Sequence, residues 1–240
     1  MTHLLSVESI TVRYWRGPHV IDVLQDASLE LEAGELCGVW GDRSSGKTTL
    51  AKVAAGVQGV EDGRVLFDGR LLADERGLVA GAASRAGIGF ASRVGPRLED
   101  LAVEEWIASK LVNSHRWRAA ITRARVTLAQ VGVADVGTEP WRNLSNSEQM
   151  MVSIAQAIVR PPRLLVVDDA LAGLGVQGRA EVTALLRAIA DKGVAVLITA
   201  GDVRELSGAN RIWALEDGYL TGPPARGLGT VVPLRPSGGA

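Results

Sequence analysis

The chain has 240 residues, 47% of them apolar, with 26 basic against 27 acidic side chains and a formal net charge of −1. That is enough chain for one sizeable core, or a core with a small subdomain. Charges nearly cancel and neither sign runs long, which argues against nucleic acid as a partner and against a polybasic membrane anchor.

No stretch reaches the roughly 18 to 20 apolar residues of a membrane span, and MTHLLSVESI lacks the layout of a signal peptide. The expectation is a cytoplasmic protein that meets a membrane only through a partner. The single cysteine, Cys37, lies in an apolar run and is read as a buried small hydrophobe in a reducing compartment.

In chain order, SVESITVRY alternates, breaks at Gly17-Pro18, and resumes in VIDVLQDASLELEAGE. Two antiparallel strands are predicted. LCGVW is a continuous apolar strand that enters GDRSSGKT, and TTLAKVAAGV has helical spacing. GRVLFDGR reads as a hairpin strand with a turn at Asp68-Gly69.

From about Leu101 to Arg160, VEEWIASKLV, RWRAAITRARVTLAQVGV and SEQMMVSIAQAIV carry apolar residues three and four apart, which predicts a helical insert. After Pro161-Pro162 the β/α alternation returns with RLLVV, AEVTALLRAIADK, VAVLIT and RIWALEDG. The fold class is therefore α/β, with a mostly parallel sheet covered on both faces, an N-terminal antiparallel β subdomain and a helical insert. Residues 1–220 form the domain, and the Gly/Pro-rich stretch 221–240 is read as a flexible tail.

Gly41, Ser44, Ser45, Gly46, Lys47 and Thr48 belong to a complete G-x-x-x-x-G-K-[ST] run between a strand and a helix. Glycines let the backbone wrap a phosphate, and successive N–H groups at a helix N-terminus, Thr49 included, offer donors. Lys47 is expected to reach the β- and γ-phosphates of ATP, and Thr48 to ligate Mg²⁺. LLVVDD places Asp168 after four apolar residues, as a second Mg²⁺ partner or as the cap of the next segment.

RNLSNSEQMMVSIAQAIVRPPRLLVVDDALAGLG resembles the signature motif, following helix, Walker B strand and D-loop of the ATP-binding cassette (ABC) family, in unbroken register. With the P-loop upstream, the resemblance covers about residues 4 to 220. It implies a head-to-tail pair with a second ABC ATPase subunit, each ATP held between one P-loop and the opposite signature helix, and a membrane permease as the driven partner. It also implies an aromatic that stacks on adenine, with Tyr14 as the candidate and Trp15 as the alternative. Ser145 is either a phosphate contact or purely a helix cap, since Ser145 and Glu148 form a capping-box pattern.

The chain departs from that family where it would act on the γ-phosphate. Asp169 stands in place of the usual catalytic glutamate, about 1.5 Å short, a displacement that can cost on the order of a hundredfold in rate. Ala200 falls at the switch histidine, and Arg93 at the glutamine of the loop leading into the insert. Arg93 is either a solvated cation or a phosphate or carboxylate partner. Asn146 and Ser147 replace two glycines, and Gly175 an aspartate of the D-loop.

These departures imply a degenerate ATP-binding subunit with slow or partner-dependent hydrolysis. Two alternatives stay open: an ATP-sensing regulator or scaffold outside transport, and a conventional active ABC ATPase.

Overall fold

The computed structural model describes residues 3–96, 100–111 and 116–222. The predicted first hairpin is β1 (Leu5–Arg16) and β2 (His19–Leu31), paired antiparallel from Leu5 with Leu31 to Arg16 with His19. The apolar run LCGVW is β3 (Leu36–Trp40), and α1 (Lys47–Ala54) follows the P-loop. β4 (Asp62–Phe67) pairs with the free edge of β1 and turns at Asp68-Gly69, both at positive φ, into β5 (Arg70–Asp74) and the short β6 (Gly77–Leu78). These strands make an antiparallel sheet of five strands in the order β2-β1-β4-β5-β6.

Next come α2 (Ala82–Ala86), β7 (Ile88–Ala91), α3 (Val103–Ser109), α4 (Trp117–Gln130) and α5 (Asn146–Ile158). The chain closes with β8 (Leu164–Val167), α6 (Val176–Ala190), β9 (Ala195–Ala200), β10 (Arg211–Glu216) and β11 (Tyr219–Thr221). The second sheet has six strands in the order β11-β10-β3-β9-β8-β7. All its pairings are parallel except that of β11 with β10.

The two-residue period of a strand divides this parallel sheet between two cores. Cys37, Val39, Leu164, Val166, Ala195 and Leu197 face α1 and the antiparallel sheet. Leu36, Leu165, Val167, Val196 and Ile198 face the helices of the second half. Cys37 is fully buried, and burial first, then the charge of Glu35, pushes its thiol far above the usual range. It is therefore a protonated hydrophobe, as the sequence suggests.

The helical stretch 101–160 is less separate than its sequence implies. α5 packs on β7 and β8, and buried residues of α3, α4 and α5 are continuous with the sheet core. α3 and α4 are joined by Glu104, which is buried and takes Nε and Nη2 of Arg125 at 2.7 and 2.8 Å. The sequence pattern also leaves β6, α2, β7 and β11 unmarked, because two to five residues are too few to establish a period. Of the tail read over 221–240, all but Thr221 and Gly222 lies outside the described residues.

Candidate functional site

The C-terminal ends of the parallel strands bring the predicted residues to one edge. Trp40, the last residue before the P-loop, pairs with Ala200; Val167, just before Asp168, pairs with Ile198 and with Ala91. P-loop, Asp168-Asp169, the end of β9 and the segment leading to Arg93 therefore share the edge where parallel α/β sheets hold ligands.

The P-loop is wedged between β2 and β10. A Cβ on Gly41 would lie 2.3 Å from the carbonyl oxygen of Leu215, and one on Gly46 would lie 2.6 Å from that of Val23. Gly46 also has φ +106, a left-handed value that L side chains adopt only under strain. Both glycines are thus required by the room available.

The backbone N–H groups of Gly46, Lys47, Thr48 and Thr49 make no hydrogen bond among the described residues. They are the orphan donors of a helix start, with the positive end of the α1 dipole behind them. Lys47 Nζ folds onto the carbonyl oxygens of Gly41 and Asp42 at 2.7 Å each. Ser45 Oγ is buried without a partner, Ser44 and Thr48 are exposed, and Thr49 is buried. A concave set of donors, a lysine held by neutral carbonyls alone and an orphaned hydroxyl fit a polyphosphate.

Asp168 is buried at the end of β8, and its Oδ1 accepts from Thr199 Oγ1 at 2.8 Å. Its N–H donates to Ala91 O at 2.9 Å. The same Thr199 hydroxyl accepts from the N–H of Asp169 at 2.7 Å. Thr199 is therefore the hinge of both acidic residues, and sequence reading passed over it. Its one signal was a hydroxyl inside an otherwise apolar strand. Asp169 adopts φ +55, a left-handed conformation that aspartate tolerates better than most residues.

At the end of β9, Ala200 is 1% exposed and belongs to the core, whereas a Cβ on the next residue, Gly201, would meet nothing within 4 Å. The open position at this edge is Gly201. Beyond it, hydrogen bonds from Arg204 hold the Asp202 carboxyl down at about 2.

Tyr14 lies beside α1. Its hydroxyl is 3.2 Å from Thr49 Oγ1 and 2.7 Å from Gln58 Nε2, so the ring is tethered next to the phosphate loop. Trp15, 74% exposed, pairs with Val20 across the hairpin and has no such tether.

The signature segment starts α5 with a complete capping box: Glu148 N donates to Ser145 Oγ at 3.3 Å, and Ser145 N donates to Glu148 Oε2 at 2.7 Å. Asn146, exposed, donates from Nδ2 to Gly173 O at 3.3 Å. Ser147 packs against Gly178, and Gly175 is the N-cap of α6. The structure thus gathers the P-loop residues, Tyr14, Asp168 and Asp169 about α1 and the sheet edge. Ser145 stands apart at the start of α5.

Among the described residues no helix is long and apolar enough to cross a membrane. Residues 24–172 match the ABC transporter family. The lipoprotein-releasing system ATP-binding protein LolD of Chromohalobacter salexigens is 30% identical over 220 residues, 91% of this chain and 93% of that protein. The energy-coupling factor transporter ATP-binding protein EcfA1 of Lactiplantibacillus plantarum is 29% identical over 226 residues, 92% of this chain and 79% of its own length. The dimeric ABC transporter cassette MJ0796 superposes with a TM-score of 0.82 at 22% identity, over 93% of this chain and 100% of that one. A further MJ0796 dimer with the same score holds ADP and Pi. The first two likenesses carry family membership and the last two the fold: this chain belongs to the ABC transporter family, as an ATP-binding subunit.

Proposed function

We propose that this subunit binds Mg·ATP through its P-loop, closes on it against a second cassette, homologous or identical, and couples that closure to a membrane permease while hydrolysing ATP slowly. The observation that carries binding is the loop, with its four unpartnered backbone donors at Gly46 to Thr49 and a lysine bonded only to its carbonyls. A triphosphate offers Lys47 a charged partner in place of two neutral ones, a stronger hydrogen bond. Thr48 and Asp168 would hold Mg²⁺, which supplies positive charge against the phosphates; Thr199 fixes the Asp168 carboxylate for that task. Tyr14 would lie along adenine, and Ser145 at the head of α5 would face the partner's nucleotide.

Slow turnover follows from what the edge lacks. A general base must sit within hydrogen-bond reach of the attacking water. Of Asp169, Ala200, Gly201 and Arg93, only Asp169 accepts a proton, on a side chain one methylene shorter than the family's glutamate. The partner's site would meet Asn146 and Ser147 where the family presents bare backbone.

A cleft of about 600 Å³ between α3, α5 and the β6–β7 segment supports a docking partner such as the permease. Val79, Ile88, Phe90, Val94, Trp106 and Val159 line it, and Val94 is 73% exposed. A cleft of this size, lined by these apolar side chains together with Lys110, Gln156 and Arg160, is a place for a partner segment.

The binding role is checked by thermal denaturation with and without Mg·ATP. Ligand at one hundred times its Kd adds about 2.7 kcal/mol, so the wild-type chain and Asp169→Ala should both show a raised Tm, and Lys47→Ala none. Equal responses from the two variants would overturn the assignment.

A further inference from the structure

Tyr14 sits where the sheet no longer fixes it. Among the described residues, pairing of β1 with β4 runs only as far as Thr11 with Asp62. The hairpin beyond is a two-stranded ribbon whose register shifts between Val12 and Arg13, just before the tyrosine. Such ribbons are marginally stable alone. Side chains tie this one to the rest of the fold: Glu61 Oε2 accepts from Arg13 N–H at 2.9 Å, and the Tyr14 hydroxyl reaches α1.

That hydroxyl is fully engaged. Gln58 Nε2 donates to it at 2.7 Å, it donates to Gln58 Oε1 at 3.0 Å, and Thr49 Oγ1 lies 3.2 Å away, left as a second donor. The two partners come from opposite ends of α1. Thr49 is in its first turn. Gln58 follows its end, where Gly56 at φ +65 closes a Schellman turn, with bonds from Gly56 N–H to Val53 O and from Val57 N–H to Lys52 O. Gln58 is half-buried and makes no other hydrogen bond among the described residues. The Tyr14 ring stays exposed, and Ile21, directly across the hairpin, lies on the same face.

We propose that Gln58 is a positioning residue for the nucleobase: together with Thr49 it holds the Tyr14 ring, beside Ile21, in the pose on which a purine stacks. This rests on the ATP-binding reading above, with Tyr14 as the base contact, and adds the groups that fix that contact. Thr49 would serve both ends of the nucleotide, its N–H toward the phosphates and its hydroxyl toward the base platform. A ring already held has little freedom left to lose when the base arrives, so the tether acts on affinity.

The test is titration calorimetry on the full chain with Mg²⁺ and either the non-hydrolysable triphosphate AMPPNP or inorganic tripolyphosphate, which has no base. Tyr14→Phe keeps the ring and removes the whole tether; Gln58→Ala removes its outer half. Each should weaken AMPPNP by about three- to tenfold, the scale of a hydrogen bond, and leave tripolyphosphate within about twofold. The double variant should lose no more than Tyr14→Phe alone. Unchanged AMPPNP affinity, equal weakening of both ligands, or additive losses, in variants whose circular dichroism melts show them folded, would overturn the proposal. Two controls separate it from the reading beneath it. Tyr14→Ala should weaken AMPPNP further than Tyr14→Phe; no loss there contradicts Tyr14 as the base contact and the proposal with it. Tripolyphosphate binding that survives Lys47→Ala contradicts the P-loop reading itself.

Discussion

Thr199 holds the acidic pair by one oxygen, donating to Asp168 Oδ1 and accepting from Asp169 N–H. Replacing it with valine keeps the shape and removes both bonds, leaving a buried carboxylate oxygen and an N–H unsatisfied. The expected cost in chemical denaturation is about 1–3 kcal/mol, with a smaller Mg²⁺-dependent gain in ATP affinity than in the wild type. A Thr199→Val chain with unchanged stability and unchanged Mg²⁺ dependence would show that the hydroxyl is dispensable. At the same scale, Ala200 and Gly201 set a caution for rescue experiments. A histidine at 200 would be forced into the core, whereas Gly201 opens to solvent, so Gly201→His is the substitution that places an imidazole at the edge.

Elements are joined here by a few polar contacts across apolar layers. Glu35, in the turn between β2 and β3, is ion-paired to Arg211 at the start of β10 and accepts from Glu32 N–H at 3.0 Å; Arg211 also lies over the Trp213 ring. Burial pushes the Glu35 carboxyl up, but bonds from Arg211 and Glu32 outweigh it and hold it below its ordinary 4.5. A lowered folded-state value gives stability that is full above the unfolded value and is lost as pH falls through the folded one. Glu35→Gln should therefore lower stability by about 1.5–3 kcal/mol at neutral pH. That difference should shrink as denaturation curves are taken below pH 4.5; a constant gap down to acid pH would rule out the linkage.

Long periodic elements, β1, β2, α4, α5 and α6, were legible in the sequence because burial imposes their spacing, and the P-loop because phosphate binding fixes its glycines. β7 and β11 were not, since three or four residues carry no period and their place comes from pairing to strands far away in sequence. Within the site, Asp168 and Lys47 were readable from motif spacing. Thr199 and the convergence of Arg93 with Asn146 on Gly173 were not, for each depends on segments that only tertiary packing brings together.

In the whole molecule, two sheets and the helices of the second half converge on one edge that holds the complete phosphate-loop motif together with Asp168, Asp169 and the end of β9. On the function proposed above, binding and consumption of ATP are separated in a single subunit. The steady-state rate of phosphate release by the purified chain, at saturating Mg·ATP and protein concentrations high enough for pairing, tests that separation most directly. The account predicts turnover well below 1 s⁻¹, the low end of ordinary enzymes, alongside Lys47-dependent thermal stabilisation by ATP. A rate of about 1 s⁻¹ or more from the unmodified chain would contradict it.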